Sequence, residues 1–320
     1  MATGNGAFVV HKTLAETIPE YDLLSYSPLL TFFPPLLYLF KDKKCDLLHV
    51  SPDYAPFFYS KKIPMVVTFH GYNLDDELKS YNSFLQNLHY KTDLKWFTSK
   101  AIELATKVTC VSKYLANKVQ EELHGNDVRV IYNGVNEELF RPDAHSRRAS
   151  FDVVFSGNFT TKKGAYLLSN IAERLNPGIR ILYTSGLRGR QANLDDSRLL
   201  AIGRVPHEQM PMVYQNADAL IFPSVREGFG LAIAEAMACG LPIVASNNSA
   251  IPELVIDKKG GLLCEAHDAD AFALAINTLA DSTVLCREMG EFNRSKVESE
   301  FTLDRMVSSY SELFEEVLSG

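Results

Sequence analysis

Short apolar runs alternate with amphipathic stretches along most of the chain. In the first half, the runs are rich in valine and isoleucine and lack the strict apolar–polar alternation of a strand with one exposed face. Such runs are typical of parallel strands that are buried on both faces. They predict strands at residues 46–52, 63–71, 107–112 and 128–134. Between two of them, residues 112–123 carry apolar residues at helical spacing after Ser112, which is a good N-cap.

The pattern breaks at residues 140–150, which are polar, contain Pro142 and have no apolar period. We interpret this stretch as a linker between domains. A second alternation follows it, with strands predicted at residues 151–157, 179–186, 198–203, 219–224, 241–246 and 261–264.

The two alternations predict an α/β fold with two doubly wound domains that face each other. We expect an N-terminal domain at residues 1–143 and a C-terminal domain at residues 144–300. The last helix, residues 301–320, is long enough to pack back on the N-terminal domain. Gly4 and Gly6 precede any predicted strand, although a strand normally leads into the first glycine turn of such a domain. Either the true start lies upstream or this domain lacks its first strand.

Composition and charge exclude some classes of protein. The 320 residues are 46% hydrophobic, enough for two ordinary domains, and the net charge of −7 does not suit a protein whose main role is to bind nucleic acid. The five cysteines are scattered, none forms a C-x-x-C pair, and we expect reduced thiols. No apolar run reaches the roughly 18 residues of a spanning helix, and no signal-peptide pattern is present. We therefore expect a cytoplasmic location.

The longest apolar stretch is LLTFFPPLLYLF, residues 29–40, which is interrupted by Pro34 and Pro35. It could form a buried loop with a short helix. It could also form a surface that contacts a membrane or a lipid-linked acceptor, because lysines follow it at positions 41, 43 and 44. Under the second interpretation, residues 29–44 contact the inner face of a membrane peripherally. Both interpretations stay open.

Two carboxylates stand out in SVREGFGLAIAEAMACGLPIVAS, residues 224–246. Glu227 lies in a glycine-rich loop after a predicted strand, and a helix is predicted to start near Gly230 or Leu231. The start of that helix is a ready site for a phosphate. Glu235 is the only charge in an apolar run, and burial of a carboxylate is costly unless it accepts hydrogen bonds. Paired sugar or ribose hydroxyls could donate them, or a structural arginine or a backbone amide could do so.

This stretch resembles the donor-site signature of the retaining GT-B glycosyltransferases of the family 4 group (glycosyl transferases group 1). Three more segments are similar to that family: TFHG at 68–71, YNGVNEELFRP at 132–142 and VFSGNFTTKKG at 154–164. The resemblance covers most of residues 45–320. It implies a GT-B fold, in which two Rossmann-like domains face each other across a cleft.

The resemblance also assigns roles to single residues. It implies that Glu235 binds the ribose hydroxyls and that Glu227 contacts the donor sugar. Lys163 matches the lysine that neutralises the diphosphate leaving group, and His70 matches a histidine that lies against the donor sugar. A loop whose amides approach the sugar and phosphate is matched by Gly228, Phe229, Gly230 and Leu231. Arg204 and Val205 match the position of the nucleotide base. Gly4 and Gly6 match the first glycine loop, near the phosphate and acceptor.

The sequence departs from the family pattern at Asn158. The family usually has Gly-Arg at this turn, and this chain has Gly157 followed by Asn158. Asparagine can donate a hydrogen bond but carries no charge. Lys162 or Arg226 could supply the missing charge, and without such compensation we expect weak catalysis or a different mode of donor binding.

No metal site is expected. Asp268 and Asp270 have the spacing of a manganese-binding D-x-D motif, but they directly precede an amphipathic helix, so we expect a helix cap instead. We expect no cofactor, since the nucleotide diphosphate-sugar is itself the donor substrate.

The resemblance implies a metal-independent hexosyltransferase in glycan, polysaccharide or glycolipid synthesis. It would transfer a sugar from a nucleotide diphosphate-sugar, most often a UDP-sugar in this family, to an acceptor hydroxyl with retention. The donor would lie mostly on residues 155–265 and a glycan or lipid-linked acceptor mostly on residues 1–130. Two alternatives remain, namely a nucleotide-sugar epimerase of the same architecture and a catalytically weak nucleotide-sugar-binding module.

Overall fold

The computed structural model describes residues 6–41, 44–125, 127–143, 150–185 and 197–320. The chain divides into two compact units. The first unit comprises Met1–Gly134 together with Asp304–Gly320, and the second comprises Val135–Leu303.

The first unit contains a parallel sheet of four strands in the order β1-β2-β3-β4. Its strands are β1 (Leu48–Val50), β2 (Met65–Phe69), β3 (Lys107–Cys110) and β4 (Val128–Val130). All five residues of β2 are buried. The four strands predicted in this half are therefore confirmed, and β2 has the two-sided burial that its unbroken apolar run indicates.

The helices of the first unit before Gly134 are α1 (Gly6–Thr17), α2 (Phe84–His89), α3 (Lys95–Leu104) and α4 (Lys113–Leu123). Short 3-10 helices span Pro28–Phe32, Pro34–Phe40, Pro52–Phe57 and Asp76–Tyr81, and a π-helical turn spans Tyr90–Leu94. Ser112 caps α4 as predicted, because its hydroxyl accepts a hydrogen bond from the Leu115 N–H at 3.2 Å.

The second unit contains a parallel sheet of six strands in the order β10-β9-β8-β5-β6-β7. Its strands are β5 (Phe151–Phe155), β6 (Ile179–Thr184), β7 (Leu199–Gly203), β8 (Ala219–Phe222), β9 (Ile243–Ser246) and β10 (Gly261–Cys264). All six predicted strands are confirmed. Because β5 and β8 are neighbours in the sheet, the loops that follow them share one edge.

The helices of the second unit are α5 (Leu168–Ala172), α6 (Met210–Gln215), α7 (Leu231–Ala238), α8 (Ile251–Leu254), α9 (Ala269–Ala280) and α10 (Thr283–Glu300). Short 3-10 helices span Thr161–Lys163, Ala165–Leu167 and His207–Gln209. Helix α10 lies close to the end of α7, where a Cβ added to Gly290 would be 2.1 Å from the Gly240 carbonyl oxygen. Only glycine permits this approach.

Residues 135–143 belong to the second unit, whereas the sequence predicts a boundary at 143/144. The Val135 N–H donates to the Phe301 carbonyl at 2.9 Å. The guanidinium of Arg294 donates to the carbonyls of Glu137 and Phe140, both at 2.9 Å. Phe140 opens the polar stretch but is 1% exposed. These hydrogen bonds and this apolar burial hold the segment to the second unit.

Helix α11 (Leu303–Ser319) places its residues from Asp304 onward in the first unit. Glu316 accepts a hydrogen bond from Arg129 at 2.6 Å and lies 3.1 Å from the Lys107 ammonium. On its apolar face, the buried Tyr310 and the neighbouring Phe314 pack their rings on His49.

Among the described residues, no single helix has the length and apolar composition needed to cross a bilayer. Helices α9 and α10 meet those two criteria only when they are taken together, and a bend of 102° separates them.

Candidate active site

The two loops that carry the predicted catalytic residues of the second unit meet at the carboxyl edge of its sheet. Lys163 follows β5, and Glu227 follows β8. Because β5 and β8 are parallel neighbours, their carboxyl ends lie side by side. Sheet order therefore brings together two residues that are 64 positions apart in the chain.

Lys163 and Glu227 form an ion pair, with 2.5 Å between Nζ and Oε1. The same carboxylate oxygen accepts a hydrogen bond from the Ser224 hydroxyl at 2.6 Å. The Glu227 N–H donates to Ser249 Oγ at 3.0 Å, which fixes the backbone beneath the carboxylate. The Glu227 side chain is 11% exposed, and the Lys163 ammonium lies over the Phe222 ring at 5.4 Å from its centroid. Both charges are thus held at fixed positions in a partly desolvated site.

The backbones of the two loops are also joined. Gly164 has a φ of +73°, and a Cβ at this position would be 2.1 Å from the Pro223 carbonyl oxygen. The Val225 N–H donates to the Lys162 carbonyl at 2.9 Å. The glycine after Lys163 therefore allows the β5 loop to lie directly against the β8 loop.

Helix α7 begins at Leu231, as predicted, and Gly230 is its N-cap with a φ of +105°. Phe229 is buried, and its ring packs edge-on against Phe301 with centroids 5.6 Å apart. The role predicted for this loop concerns its backbone amides. The Phe229 side chain has a separate role, since its burial anchors the loop to the apolar interior. Gly228 is half-buried between Glu227 and this anchor.

Glu235 lies in the second turn of α7 and is 8% exposed. Its Oε1 lies 2.9 Å from His207 Nε2, and its Oε2 accepts a hydrogen bond from the Tyr214 hydroxyl at 3.1 Å. The Tyr214 hydroxyl also lies 3.0 Å from Ser156 Oγ. Burial, followed by the charge of Glu235, raises the pKa of Tyr214 well above its usual range, so this hydroxyl remains a donor.

Sequence reasoning missed His207 and Tyr214 as partners of Glu235. It considered only an arginine or a backbone amide for the alternative in which the carboxylate is structural. The available signal for His207 was its position directly after Pro206, four residues after the strand-end Gly203. Each carboxylate oxygen has further lone pairs, so these two hydrogen bonds leave capacity for additional donors.

Arg204 and Val205 lie between the end of β7 and His207. Gly203 ends the strand with a φ of +76°, and Arg204 is exposed whereas Val205 is half-buried. The predicted base-binding residues Arg204 and Val205 therefore lie three and two positions before His207, which is a hydrogen-bond partner of Glu235.

Asn158 lies in the turn after β5. The preceding Gly157 has a φ of +146°, and its N–H donates to Thr184 Oγ1 at 3.1 Å. Of the two cations considered as substitutes for the missing arginine, Lys162 is half-buried, and burial lowers its pKa. Arg226 is half-buried beside Glu227 in the chain.

His70 and Gly6 belong to the first unit. His70 directly follows β2, and its Nε2 lies 3.2 Å from Nε2 of His11. Its Nδ1 is buried and has no hydrogen-bond partner within the described part of the chain. Burial lowers the pKa of His70 to about 4, so the ring is neutral at pH 7. Gly6 is exposed at the start of α1, and Gly4 lies outside the described residues.

Asp268 caps α9 as predicted, because it accepts a hydrogen bond from the Ala271 N–H at 2.9 Å. Asp270 pairs with Arg174 across a distance of 2.5 Å. Within the described ranges, no group of three or more histidine, cysteine, aspartate or glutamate residues is arranged to hold a metal ion.

Solved structures and curated relatives resemble this chain over most of its length. The structure of Anabaena HepE in complex with UDP and glucose superposes with a TM-score of 0.79 at 18% identity, covering 98% of both chains. An uncharacterised glycosyltransferase of Methanocaldococcus jannaschii is 27% identical over 80% of this chain and 69% of its own length. The D-inositol 3-phosphate glycosyltransferase of Mycobacteroides abscessus is 32% identical over 57% of this chain, which spans 46% of that relative.

Two parallel α/β units with this structural likeness define the GT-B fold of glycosyltransferases. The profile described as glycosyl transferases group 1 matches residues 136–296, and the profile described as glycosyltransferase family 4 matches residues 8–139. The chain therefore belongs to the glycosyl transferases group 1 family of GT-B glycosyltransferases.

Proposed function

We propose that the protein transfers a sugar from a nucleotide diphosphate-sugar to an acceptor hydroxyl, with retention of the anomeric configuration. The observation that carries this proposal is the ion pair between Lys163 and Glu227, at the carboxyl edge of a parallel sheet and beside the start of α7. UDP is the proposed nucleotide, because the HepE structure was solved with UDP and glucose. The proposed process is glycan, polysaccharide or glycolipid synthesis.

In this mechanism the second unit holds the donor. Glu235 accepts hydrogen bonds from the ribose hydroxyls, and the free N–H groups at the start of α7 bind the diphosphate. The amides of residues 228–231 and Asn158 lie along the sugar and phosphate, and Arg204 and Val205 contact the base. Glu227 accepts hydrogen bonds from the sugar hydroxyls, and its ion pair positions Lys163.

The reaction breaks the bond between the anomeric carbon and the diphosphate oxygen, and its electron pair remains on that oxygen. The acceptor oxygen forms a bond to the same carbon on the same face, and its proton passes to the released phosphate. The cationic Lys163 stabilises the charge that develops on the leaving group. We propose that the reaction needs no bound metal, because Lys163 and the start of α7 already supply positive charge at this position.

The first unit is proposed to bind a glycan or lipid-linked acceptor and to contribute His70 and Gly6. Its 3-10 segments at Pro28–Phe32 and Pro34–Phe40, together with the residue between them, bury Leu37 but leave other large apolar side chains exposed. These are Leu29, Phe33, Leu36, Tyr38 and Leu39, of which Leu39 is 81% exposed. The buried-loop interpretation of residues 29–40 thus accounts for Leu37 and not for these five.

A second exposed apolar set in the same unit was not predicted from the sequence. It comprises Phe84, Leu85, Leu88 and Trp96, of which Trp96 is 61% exposed. The Tyr38 ring packs edge-on against Phe57, Phe57 packs against Phe97, and Phe97 packs against Trp96, with centroids 5.8, 5.1 and 5.4 Å apart. This aromatic row joins the two sets, which we call the apolar surface.

We propose that the apolar surface docks on an anionic lipid bilayer at the cytoplasmic face of a membrane. Exposed lysines lie beside both of its parts in the chain, namely Lys44 after the first part and Lys91 and Lys95 within the second. Aromatic and leucine side chains flanked by lysines match the interface of an anionic bilayer. Docking would bring the first unit to a lipid-linked acceptor.

A donor screen tests the transferase function. The protein is incubated with nucleotide-sugars of several bases and sugars, with and without candidate glycan and lipid-linked acceptors. Release of a nucleoside diphosphate that depends on the acceptor supports the proposal. An isomerised donor indicates an epimerase, and binding without turnover indicates a catalytically weak module. Glu235→Gln should weaken donor binding about 10- to 100-fold, whereas the exposed control Glu298→Gln should leave it unchanged.

Vesicle sedimentation tests the docking. Vesicles of phosphatidylcholine with phosphatidylglycerol should sediment the protein, and added salt should reduce the bound fraction. Leu39→Ser and Trp96→Ser should each release it, whereas Leu274→Ser removes an apolar side chain of the second unit that is 69% exposed and should not. Equal losses in all three variants would contradict this choice of surface.

A further inference from the structure

Six polar side chains of the first unit form a continuous hydrogen-bonded series, which we call the imidazole–hydroxyl chain. Its members are His70, His11, Tyr21, His49, Thr68 and Thr109. The successive distances are 3.2 Å (Nε2–Nε2), 2.5 Å (Nδ1–OH), 2.8 Å (OH–Nδ1), 2.6 Å (Nε2–Oγ1) and 2.6 Å (Oγ1–Oγ1). The chain links α1, the loop after it and strands β1, β2 and β3.

The three imidazoles of this chain are neutral at pH 7. Burial lowers the pKa of His70 to about 4. Burial, followed by the charge of His70, lowers the pKa of His49 to about 3. Burial, followed by the charges of His49 and His70, also lowers the pKa of His11. A neutral imidazole carries one N–H, so it donates from one nitrogen and accepts at the other.

Each member of the imidazole–hydroxyl chain has one proton to donate, so all of its hydrogen bonds must run in the same direction. If Tyr21 donates to His49 Nδ1, then His11 must donate from Nδ1 to Tyr21. His11 then accepts at Nε2 from His70, and His70 Nδ1 is a bare acceptor. If Tyr21 donates to His11 instead, every bond reverses, and His70 Nδ1 carries the proton. The direction of the Tyr21 hydroxyl therefore decides whether His70 offers a lone pair or a proton.

The buried position of His70 Nδ1 selects between these two directions. That atom has no hydrogen-bond partner within the described part of the chain. A buried N–H without a partner is rarer in proteins than a buried acceptor without one. The first direction avoids an orphaned N–H. It gives His70 and His49 a proton on Nε2 and gives His11 a proton on Nδ1.

We propose that Tyr21, acting through His11, fixes the tautomer of His70 so that its Nδ1 accepts a hydrogen bond from a ligand hydroxyl. Tyr21, His11 and His49 are then positioning residues for His70. The nature of the ligand, a hydroxyl of the sugar substrate, rests on the proposed function. The fixed tautomer does not, because it follows from hydrogen bonds within the first unit.

Nitrogen-15 NMR of histidine-labelled protein measures the tautomers directly, and His70→Gln assigns the His70 signals. Wild-type protein should show His11 protonated at Nδ1 and His70 at Nε2. Tyr21→Phe keeps the ring that packs near Phe314 but removes the hydroxyl, so His11 loses its acceptor. The His70 signals should then move towards the Nδ1–H form. Tyr72→Phe is the matched control, since it removes a tyrosine hydroxyl that donates to Glu122 in the same unit.

Unchanged His70 signals in Tyr21→Phe would overturn the proposal, whether or not the protein turns over a sugar donor. A changed tautomer supports it even in a protein without transferase activity. Once a donor is known, Tyr21→Phe should lower kcat/KM about tenfold, and Tyr72→Phe should not. If Tyr21→Phe fails to fold, Thr68→Val interrupts the imidazole–hydroxyl chain directly after His49 with little change in side-chain volume. If the hydrogen bonds of the imidazole–hydroxyl chain are coupled, Thr68→Val must also shift the His70 signals.

Discussion

In the second unit, Lys163 and Glu227 face each other as an ion pair at the edge of the sheet, whereas the first unit joins three imidazoles and three hydroxyls without a formal charge. The charged pair is partly exposed, with 31% of the Lys163 side chain accessible. The imidazole–hydroxyl chain lacks a carboxylate or ammonium among its members. Burial therefore keeps the three imidazoles of the first unit neutral at pH 7, whereas the second unit places an ammonium and a carboxylate in direct contact.

The comparison separates two ways of preparing polar groups for a ligand. A paired charge can stabilise charge that develops in a reaction. A neutral chain can instead set which atom donates and which accepts. The two units should accordingly respond differently to pH, to the removal of charge and to changes in backbone packing.

The largest expected effect is acid destabilisation of the first unit. The folded pKa values of His70, His49 and His11 are depressed, so the unfolded chain binds more protons below about pH 6.5. The contribution of the neutral imidazoles to the unfolding free energy should be fully present above pH 6.5. It should fall as the pH decreases, by roughly 1.4 kcal/mol per pH unit for each imidazole, until the folded pKa is reached, at about pH 4 for His70.

Hydrogen exchange at pH 7 and pH 5 would measure this loss separately for each unit. The amides of β1, β2 and β3 should lose more protection than those of β5 and β8. An equal loss in the two sheets would show that the imidazoles do not set the acid response.

The next effect concerns the charge at the second-unit site. Lys163→Ala should lower kcat for sugar transfer about 100- to 1,000-fold, because the leaving group loses a fixed cation. Steady-state kinetics would measure the loss. The exposed Lys259→Ala is the control in the same unit and should retain wild-type turnover. A loss below threefold in Lys163→Ala would remove this lysine from the mechanism.

Backbone packing should matter most where the two loops touch. Gly164→Ala adds a methyl group 2.1 Å from the Pro223 carbonyl oxygen at a φ of +73°, and we expect a cost of about 3 kcal/mol in unfolding free energy. Gly178→Ala is the matched control, because its φ is +88° and its added Cβ meets nothing within 4 Å. It should cost about 1 kcal/mol. Denaturant melts that give equal costs would refute the close approach.

The smallest predicted effect concerns the charge missing at Asn158. If Lys162 or Arg226 substitutes for the usual arginine, then Lys162→Ala or Arg226→Ala should lower donor turnover about tenfold. Unchanged turnover in both variants would exclude compensation by either residue. Burial lowers the pKa of Lys162, so at high pH this ammonium should lose its charge before an arginine side chain does.

Local sequence patterns predicted much of the fold. All ten predicted strands are present. Strands β2, β8 and β9 are buried at every residue, as their apolar runs indicate, whereas β4 and β7 include exposed residues. The caps at Ser112 and Asp268 and the start of α7 are local features too. Burial of Phe140 was not predicted, since it depends on contacts with Tyr214 and His207 elsewhere in the chain.

In the candidate sites, too, single residues could be predicted from the sequence, whereas contacts between distant residues could not. The resemblance located Glu227, Glu235 and Lys163, but not their partners. His207 lies 28 positions before Glu235, and His11 lies 59 positions before His70. Such pairs depend on strand order and on where each loop leaves the sheet. No periodicity in a single sequence encodes those distances.

The direct contact of the loop at Gly164 with the loop at Pro223 bears on the thermodynamics of the proposed donor binding. The Val225-to-Lys162 hydrogen bond and the Ser224 hydroxyl order these loops through contacts within the protein itself. A donor that binds there therefore restricts little backbone motion, and the conformational-entropy penalty of association should be small. Differences in affinity among nucleotide-sugars should then reflect their contacts with the preorganised site rather than a coupled ordering step.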